Sequence, residues 1–200
     1  GIFIDWCAEN FDLSCEDRII NTAPFTFDLS GLDLFNSVYF GATMVIVEDQ
    51  RMINMVLHAI SKERITFMSA VPTLFGTMVQ TPQIFRRYDL STIRIVATGG
   101  ALCPPIFMIK LHEYLPHAKQ YNLFGPTEAA IYCLYHEIQA EELDENIPIP
   151  IGIPFENTEA YVIGRDGKVV PDGETGELVL RGSHVSPGYY QNAEKTNQAF

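Results

Sequence analysis

The sequence predicts an α/β fold: a mostly parallel sheet with flanking helices, followed by a small β-rich subdomain. Two patterns carry that expectation. Through the first three quarters of the chain, short apolar runs alternate with segments of helical period. Beyond them come short β-prone runs separated by Asp-Gly turns. With 47% hydrophobic and 19% charged residues, the 200-residue chain has an ordinary globular balance and enough length for one sizeable core.

The elements follow in order. Arg18 to Ala23 and Thr43 to Val47 read as strands, the second apolar and partly β-branched. Ile53, Val56, Leu57 and Ile60 share one face of a helix. Ile65 to Ala70 is the next strand, and Pro72 suits the first turn of a helix over Thr73 to Val79. Ile93 to Ala97 is a strand that runs into a Thr98-Gly99-Gly100 turn. Pro105 to Leu115 then reads as a helix, and Lys119 to Leu123 as a strand. The acidic, Pro-rich stretch from Glu141 to Pro150 marks a boundary. It divides an α/β part at 1–150 from an incomplete β-rich subdomain at 151–200. In the latter, Ala160 to Ile163, Lys168 to Val170 and Glu177 to Arg181 are expected to form hairpins. Ala193 to Phe200 reads as a helix just begun, and both ends of the chain read as cuts in a longer one.

The formal net charge of -12 disfavours nucleic acid and anionic membrane as partners. No apolar run approaches a membrane span of about 18 residues, and Gly1 to Trp6 does not resemble a secretory leader. Cys7, Cys15, Cys103 and Cys133 show no paired spacing, and Cys133 with His136 is a weak metal signal. Reduced thiols in a cytoplasmic protein are the expectation.

Open parallel sheets bind ligands at the carboxyl ends of their strands. That rule selects Phe25 to Ser30, Ser69 to Thr73, Val96 to Ala101 and Leu123 to Glu128. These segments carry two carboxylates, Asp28 and Glu128, and backbone N–H groups at Gly99, Gly100 and Gly125 that suit an anion. Each feature also has a structural explanation. Gly99-Gly100 makes a tight turn, Asp28 with Ser30 caps a helix starting near Leu32, and Thr127-Glu128 starts a helix.

Asn122-Leu123-Phe124-Gly125-Pro126-Thr127-Glu128 resembles the N-x-Y-G-P-T-E motif of adenylate-forming enzymes. Phe25-Thr26-Phe27-Asp28-Leu29-Ser30 is similar to their F-D-x-S motif. Gly176-Glu177-Leu178, with Gly182 and Gly188-Tyr189, is similar to their G-E-L-x-x-x-G…G-Y segment. The order is that of the family, and the resemblance covers essentially the whole chain. The nearest branch is the adenylation domains of nonribosomal peptide synthetases and the freestanding amino acid–carrier protein ligases. It implies that the chain is an internal fragment of the large N-terminal domain of such an enzyme.

The resemblance implies roles. Phe124 would stack on adenine, with a phenyl ring where Tyr is usual, and Asn122 would bond the adenine amino group. Gly99, Gly100, Ala101 and Gly125 would border the nucleotide. Thr127 would contact the α-phosphate of ATP, and Glu128 would hold Mg²⁺. The side-chain pocket would comprise Asp28, Leu29, Leu32, Ser69, Val96, Thr98, Leu123, Ile131 and Tyr132. The Gly176 to Tyr189 segment would only support the β-rich part. The phosphate loop, the ribose-binding Asp and the catalytic Lys of the family fall outside these residues, so this piece alone is not expected to turn over. The implied reaction is activation of an amino acid as its adenylate, for transfer to phosphopantetheine on a peptidyl carrier protein.

Asp28 separates that activity from acyl- or aryl-CoA ligation. A carboxylate compensates a substrate ammonium group, whereas against an apolar acyl tail it is buried unpaired, at a cost of about several kcal/mol. A non-catalytic binding fragment is a third reading. The pocket residues carry no second charge, so the expected substrate is a neutral small or medium amino acid, proline or cysteine among them.

Overall fold

The computed structural model describes residues 1–49 and 52–200. Helix α1 (Ile2–Asn10) comes first and buries Phe3, Trp6 and Cys7. The alternation then proceeds through β1 (Arg18–Asn21), α2 (Leu29–Phe40), β2 (Thr43–Ile46), α3 (Ile53–Glu63), β3 (Phe67–Ala70), α4 (Pro72–Gln80), α5 (Pro82–Phe85), β4 (Ile95–Gly99), α6 (Pro105–Tyr114) and β5 (Lys119–Phe124). Next come β6 (Leu134–Ile138), β7 (Ile153–Pro154), β8 (Thr158–Ile163), β9 (Glu177–Gly182) and α7 (Ala193–Ala199).

Seven strands form one sheet in the order β2-β1-β3-β4-β5-β6-β7. The first five run parallel, and β6 and β7 are antiparallel additions at one edge. Helices connecting parallel strands must cross back over the sheet, so both faces are covered. The central strands are correspondingly buried on both sides, fully so in β3 and β4. One face carries Met68, Ala70 and Val96 against α3, α4 and α6. The other carries Phe67, Ile95, Ala97, Tyr121 and Leu123 against α1 and α2. On this second face Trp6 stacks on Phe155, with centroids 4.4 Å apart and planes at 7°.

The opposite rim, at the amino ends of the strands, is tied by Arg94. Its guanidinium donates to both Asp17 oxygens, at 3.0 and 2.8 Å, and to the carbonyls of Phe11 and Asp12 at 2.9 and 2.7 Å. Burial alone would raise the Asp17 carboxyl. Hydrogen bonds from Arg94, Thr66 and the Ser14 amide outweigh it and hold the group below its ordinary range.

Several local expectations change. Thr98 and Gly99 belong to β4 and not to a turn, because Gly99 continues the ladder opposite Leu123. The bend falls at Gly100, whose φ of 81° suits glycine. Helix α2 starts at Leu29, earlier than Leu32. Lys168 to Val170 forms no strand beyond a bridge from Val169 to Ile163, and β8 pairs with β9 instead. Pro171 lacks the N–H needed to extend that ladder. Ile153–Pro154, within 151–200, pairs with β6 of the large sheet, so the separate two-stranded sheet begins at Thr158. Among the described residues no helix is long and apolar enough to cross a membrane. The four cysteines are free.

Candidate functional site

The carboxyl ends of β1, β3, β4 and β5 meet the amino end of α2 and the loop 125–133. Asp28 occupies the N-cap position of α2, yet its side chain makes no cap bond. Ser30 serves that corner instead, its hydroxyl donating to the Phe27 carbonyl at 2.8 Å. The Asp28 carboxylate is thereby left to the site, where Oδ2 accepts from the Thr127 hydroxyl at 2.5 Å. Two residues 99 positions apart in sequence are joined by this bond.

Behind Asp28, Leu29, Leu32, Leu123 and Tyr132 are buried together, with Ile131 packed on them. Ser69 shares their face by the strand alternation that places Phe67 there. Its hydroxyl is buried without a hydrogen-bond partner among the described residues. Ile131 is directed inward by an unusual backbone: Ala130 and Ile131 both have positive φ, 57° and 75°. A β-branched residue in that region is strained. It is held by hydrogen bonds from the Tyr132 amide to Ala130 O and from the Cys133 amide to Phe124 O, at 3.0 and 2.9 Å. Gly31 and Gly125 leave room for the loop. A Cβ on Gly31 would stand 3.0 Å from Ile131 Cδ1, and one on Gly125 would stand 2.6 Å from Ile131 O.

Val96 and Thr98 part company with this group. Val96 packs with Met68 and Ala70 on the α3, α4 and α6 side. The Thr98 hydroxyl lies beside the Cys103 thiol, which belongs to that same cluster and is pushed up to about 11 by burial. The expected single cleft for Asp28, Thr98, Leu123 and Ile131 is therefore divided. Residues 96 and 98 have one parity on β4, and the register sets Thr98 beside Asn122 and Gly99 beside Leu123. Only the second pair faces α2.

Gly99 also has a packing role of its own. A Cβ there would lie 2.5 Å from both the Leu123 carbonyl and the Tyr132 hydroxyl, so the missing side chain makes room for the tyrosine. Tyr132 is 3% exposed. Burial raises its phenol pKa, and the nearby charges of Asp33 and Asp28 raise it further.

A cleft of about 270 Å³ opens on the far side of the β4 and β5 ends. Gly100, Ala101, Asn122, Phe124 and Gly125 line it, with Ile149 and Ile151 as the opposite wall. Asn122 Nδ2 donates to the Pro150 carbonyl at 2.8 Å, which assigns its amide oxygen as the acceptor available to a ligand amine. Apolar walls, an aromatic ring and one oriented amide suit a flat heterocycle.

Thr127 and Glu128 lie on a single 3-10 turn, with Thr127 bonded to Asp28. The Glu128 carboxylate is solvent-facing and accepts a hydrogen bond from the Tyr189 hydroxyl. That bond, together with its own backbone N–H, holds the carboxyl below its ordinary range. No group of three or more His, Cys, Asp or Glu side chains gathers to hold a metal among the described residues. A single hard carboxylate fits a magnesium ion whose other ligands are phosphate oxygens and water. It does not fit a closed protein cage.

Two residues of this region escaped the sequence reading. Tyr189, expected only to support the β-rich part, reaches Glu128. Asp33, fully buried on α2, accepts from Asn21 Nδ2 at 3.0 Å, and burial raises its carboxyl well above the ordinary range. No sequence signal marks either contact, because both join separate elements.

Residues 3–190 match the family described as AMP-binding enzyme. The chain belongs to the AMP-binding enzyme family. A relative, the L-proline–[L-prolyl-carrier protein] ligase of Streptomyces coelicolor, is 32% identical over 96% of this AMP-binding enzyme chain and 37% of its own length. The D-alanine–D-alanyl carrier protein ligase of Bacillus licheniformis is 30% identical over 99% of the chain and 40% of its own. A crystal structure of the nonribosomal peptide synthetase FmoA3 superposes with a TM-score of 0.89 at 26% identity, over 98% of this chain and 21% of that one. The chain thus spans about two fifths of the length of each of these two ligases. Mostly parallel sheet, flanking helices and small antiparallel sheet are the architecture it shares with the FmoA3 structure.

Proposed function

We propose that the protein carrying this chain activates an amino acid with ATP as the aminoacyl-adenylate and passes it to the phosphopantetheine thiol of a carrier protein, in the cytoplasm. The Asp28 carboxylate carries the reading. It stands beside the buried apolar cluster of Leu29, Leu32, Leu123 and Tyr132, and its one hydrogen bond among the described residues is from a neutral hydroxyl. A substrate ammonium would supply the missing positive charge. The relatives' printed activities, on proline and on D-alanine with their carrier proteins, support the same class.

In this mechanism Asp28 fixes the ammonium, and the substrate carboxylate is thereby aimed toward Thr127. A carboxylate oxygen attacks the α-phosphorus of ATP and pyrophosphate leaves with the bridging oxygen's electrons. The Thr127 hydroxyl has one proton, now donated to Asp28; once the substrate ammonium takes its place there, that proton would turn to the α-phosphate. Asn122 and Phe124 orient the base. Mg²⁺, when bound at Glu128, supplies positive charge to phosphate oxygens. The carrier thiolate then attacks the acyl carbon and AMP leaves.

Leu29, Leu32, Leu123 and Ile131 would wall the amino-acid pocket, with the Ser69 and Tyr132 hydroxyls as its neutral polar groups. With no second charge to meet a charged side chain, a neutral small or medium amino acid is the proposed substrate. The test is pyrophosphate exchange on the full-length protein against twenty amino acids, with and without Asp28→Ala. The variant is expected to lose amino-acid-dependent exchange while ATP affinity stays within a few-fold. Near-normal exchange in the variant, or preference for a charged amino acid, would refute the assignment.

A further inference from the structure

Glu128 is gripped from a distance. Its backbone carbonyl accepts from the Ser186 amide at 2.7 Å, and its side-chain Oε1 accepts from the Tyr189 hydroxyl. Both donors sit on the loop that follows β9, some 60 residues along the chain. The loop is itself built for the task. Gly188, at φ 133°, passes so close to Thr196 that a Cβ would fall 2.5 Å from its methyl carbon. The next amide, of Tyr189, donates to Thr196 Oγ1 at 2.9 Å, and the Tyr189 ring packs edge-on to Phe200 with centroids 5.6 Å apart.

From this geometry we infer that Tyr189 is a positioning residue for Glu128, orienting its carboxylate so that the free oxygen, Oε2, faces the divalent cation that accompanies ATP. The inference rests on the reading that Glu128 holds that cation. A surface glutamate has three rotatable bonds, and fixing them for one metal–oxygen bond costs conformational entropy. A phenol already locked by its own neighbours removes much of that cost in advance. It also occupies Oε1, so the carboxylate offers one oxygen and leaves the cation's other positions to phosphate and water, as magnesium prefers. Partners that orient a metal ligand in this way commonly change metal affinity about 10- to 100-fold when removed.

The experiment uses the full-length protein, with Mn²⁺ as the probe. Electron paramagnetic resonance measures Mn²⁺ binding in the presence of a non-hydrolysable ATP analogue, for wild type, Tyr189→Phe, Glu128→Gln and the double variant. Tyr189→Phe keeps the ring and its contact with Phe200 and removes only the hydroxyl. It is expected to weaken Mn²⁺ about ten-fold, raise the Mg²⁺ needed for half-maximal pyrophosphate exchange, and leave the amino-acid KM and the melting temperature unchanged. In the Glu128→Gln background it should add nothing further. If Tyr189→Phe binds Mn²⁺ like wild type while Glu128→Gln does not, the inference falls and the reading of Glu128 stands. If Glu128→Gln itself binds like wild type, the reading falls and takes the inference with it. A Tyr189→Phe loss that persists undiminished in the double variant places its effect elsewhere and also overturns the inference.

Discussion

Replacing Gly99 with alanine adds a single methyl group at the most crowded point of the site. That carbon would lie 2.5 Å from the Leu123 carbonyl oxygen, 2.5 Å from the Tyr132 hydroxyl and 2.6 Å from Tyr132 Cε1, where ordinary contact begins at 3.4 Å. The neighbours must therefore withdraw by about 0.9 Å, and close-packed interiors yield such distances poorly. Leu123 cannot move freely, because it is the ladder partner of Gly99 itself. Tyr132 is buried and can only be pushed back toward Leu29 and Leu32. Overpacking of this kind costs about 1–3 kcal/mol, and the clash with backbone puts Gly99→Ala toward the upper end. At roughly 2–4 °C per kcal/mol for a domain of this size, a cost near 3 kcal/mol should lower the melting temperature by about 6–12 °C. Because Tyr132 borders the proposed amino-acid pocket, its displacement should also raise the amino-acid KM while the KM for ATP changes little. The assays are thermal unfolding and pyrophosphate exchange on the full-length protein. Tyr132→Leu should absorb much of the penalty, since two of the three clashes then disappear. A Gly99→Ala protein with unchanged melting temperature and unchanged amino-acid KM would refute the packing argument.

Two further outcomes concern buried carboxylates. Arg94→Met removes the guanidinium that bonds both oxygens of Asp17 and should destabilise the fold by about 2–3 kcal/mol, read by chemical denaturation. Asp17 is held below its ordinary range in the folded state, so its contribution is present above about pH 4, the unfolded value, and is lost as pH falls through the lower folded value. The stability of Arg94→Met should accordingly fall less on acidification than that of wild type. Asp33 has the opposite sign. Its folded carboxyl is raised well above the ordinary range, so its contribution is complete below about pH 4 and is lost as pH rises toward the folded value. Asp33→Asn, which keeps shape and a polar contact for Asn21, should remove that decline. A melting temperature that rises with pH from 4 to 8 in wild type relative to Asp33→Asn would contradict this.

The class of fold and the order of elements along the chain were legible from local pattern. Apolar runs of strand length between segments of helical period leave little choice, and β1, β2, α3, β3, α4, α6 and β5 all lie where the periodicity puts them. Local pattern also located the motif residues at strand ends, since Asp28, Asn122, Phe124 and Glu128 are identified by local neighbours. Less local features were hidden. Helix α1 starts with Ile2-Phe3-Ile4, a run that has no clear helical stripe, and it is held by the aromatic packing of Trp6 on Phe155, far along the chain. Strand β6 mixes Tyr, His and Glu with apolar residues and takes its place by pairing with β5. Which side of the sheet each strand residue serves was settled by packing. Alternation with period two is written in the sequence, but which parity meets α2 depends on register with the neighbouring strands and on what packs above them. That is why Leu123 joins Asp28 while Thr98 turns toward Cys103. Contacts such as Thr127 with Asp28, and Tyr189 with Glu128, exist for the same reason: chain closure brings together groups whose local sequences contain no trace of each other.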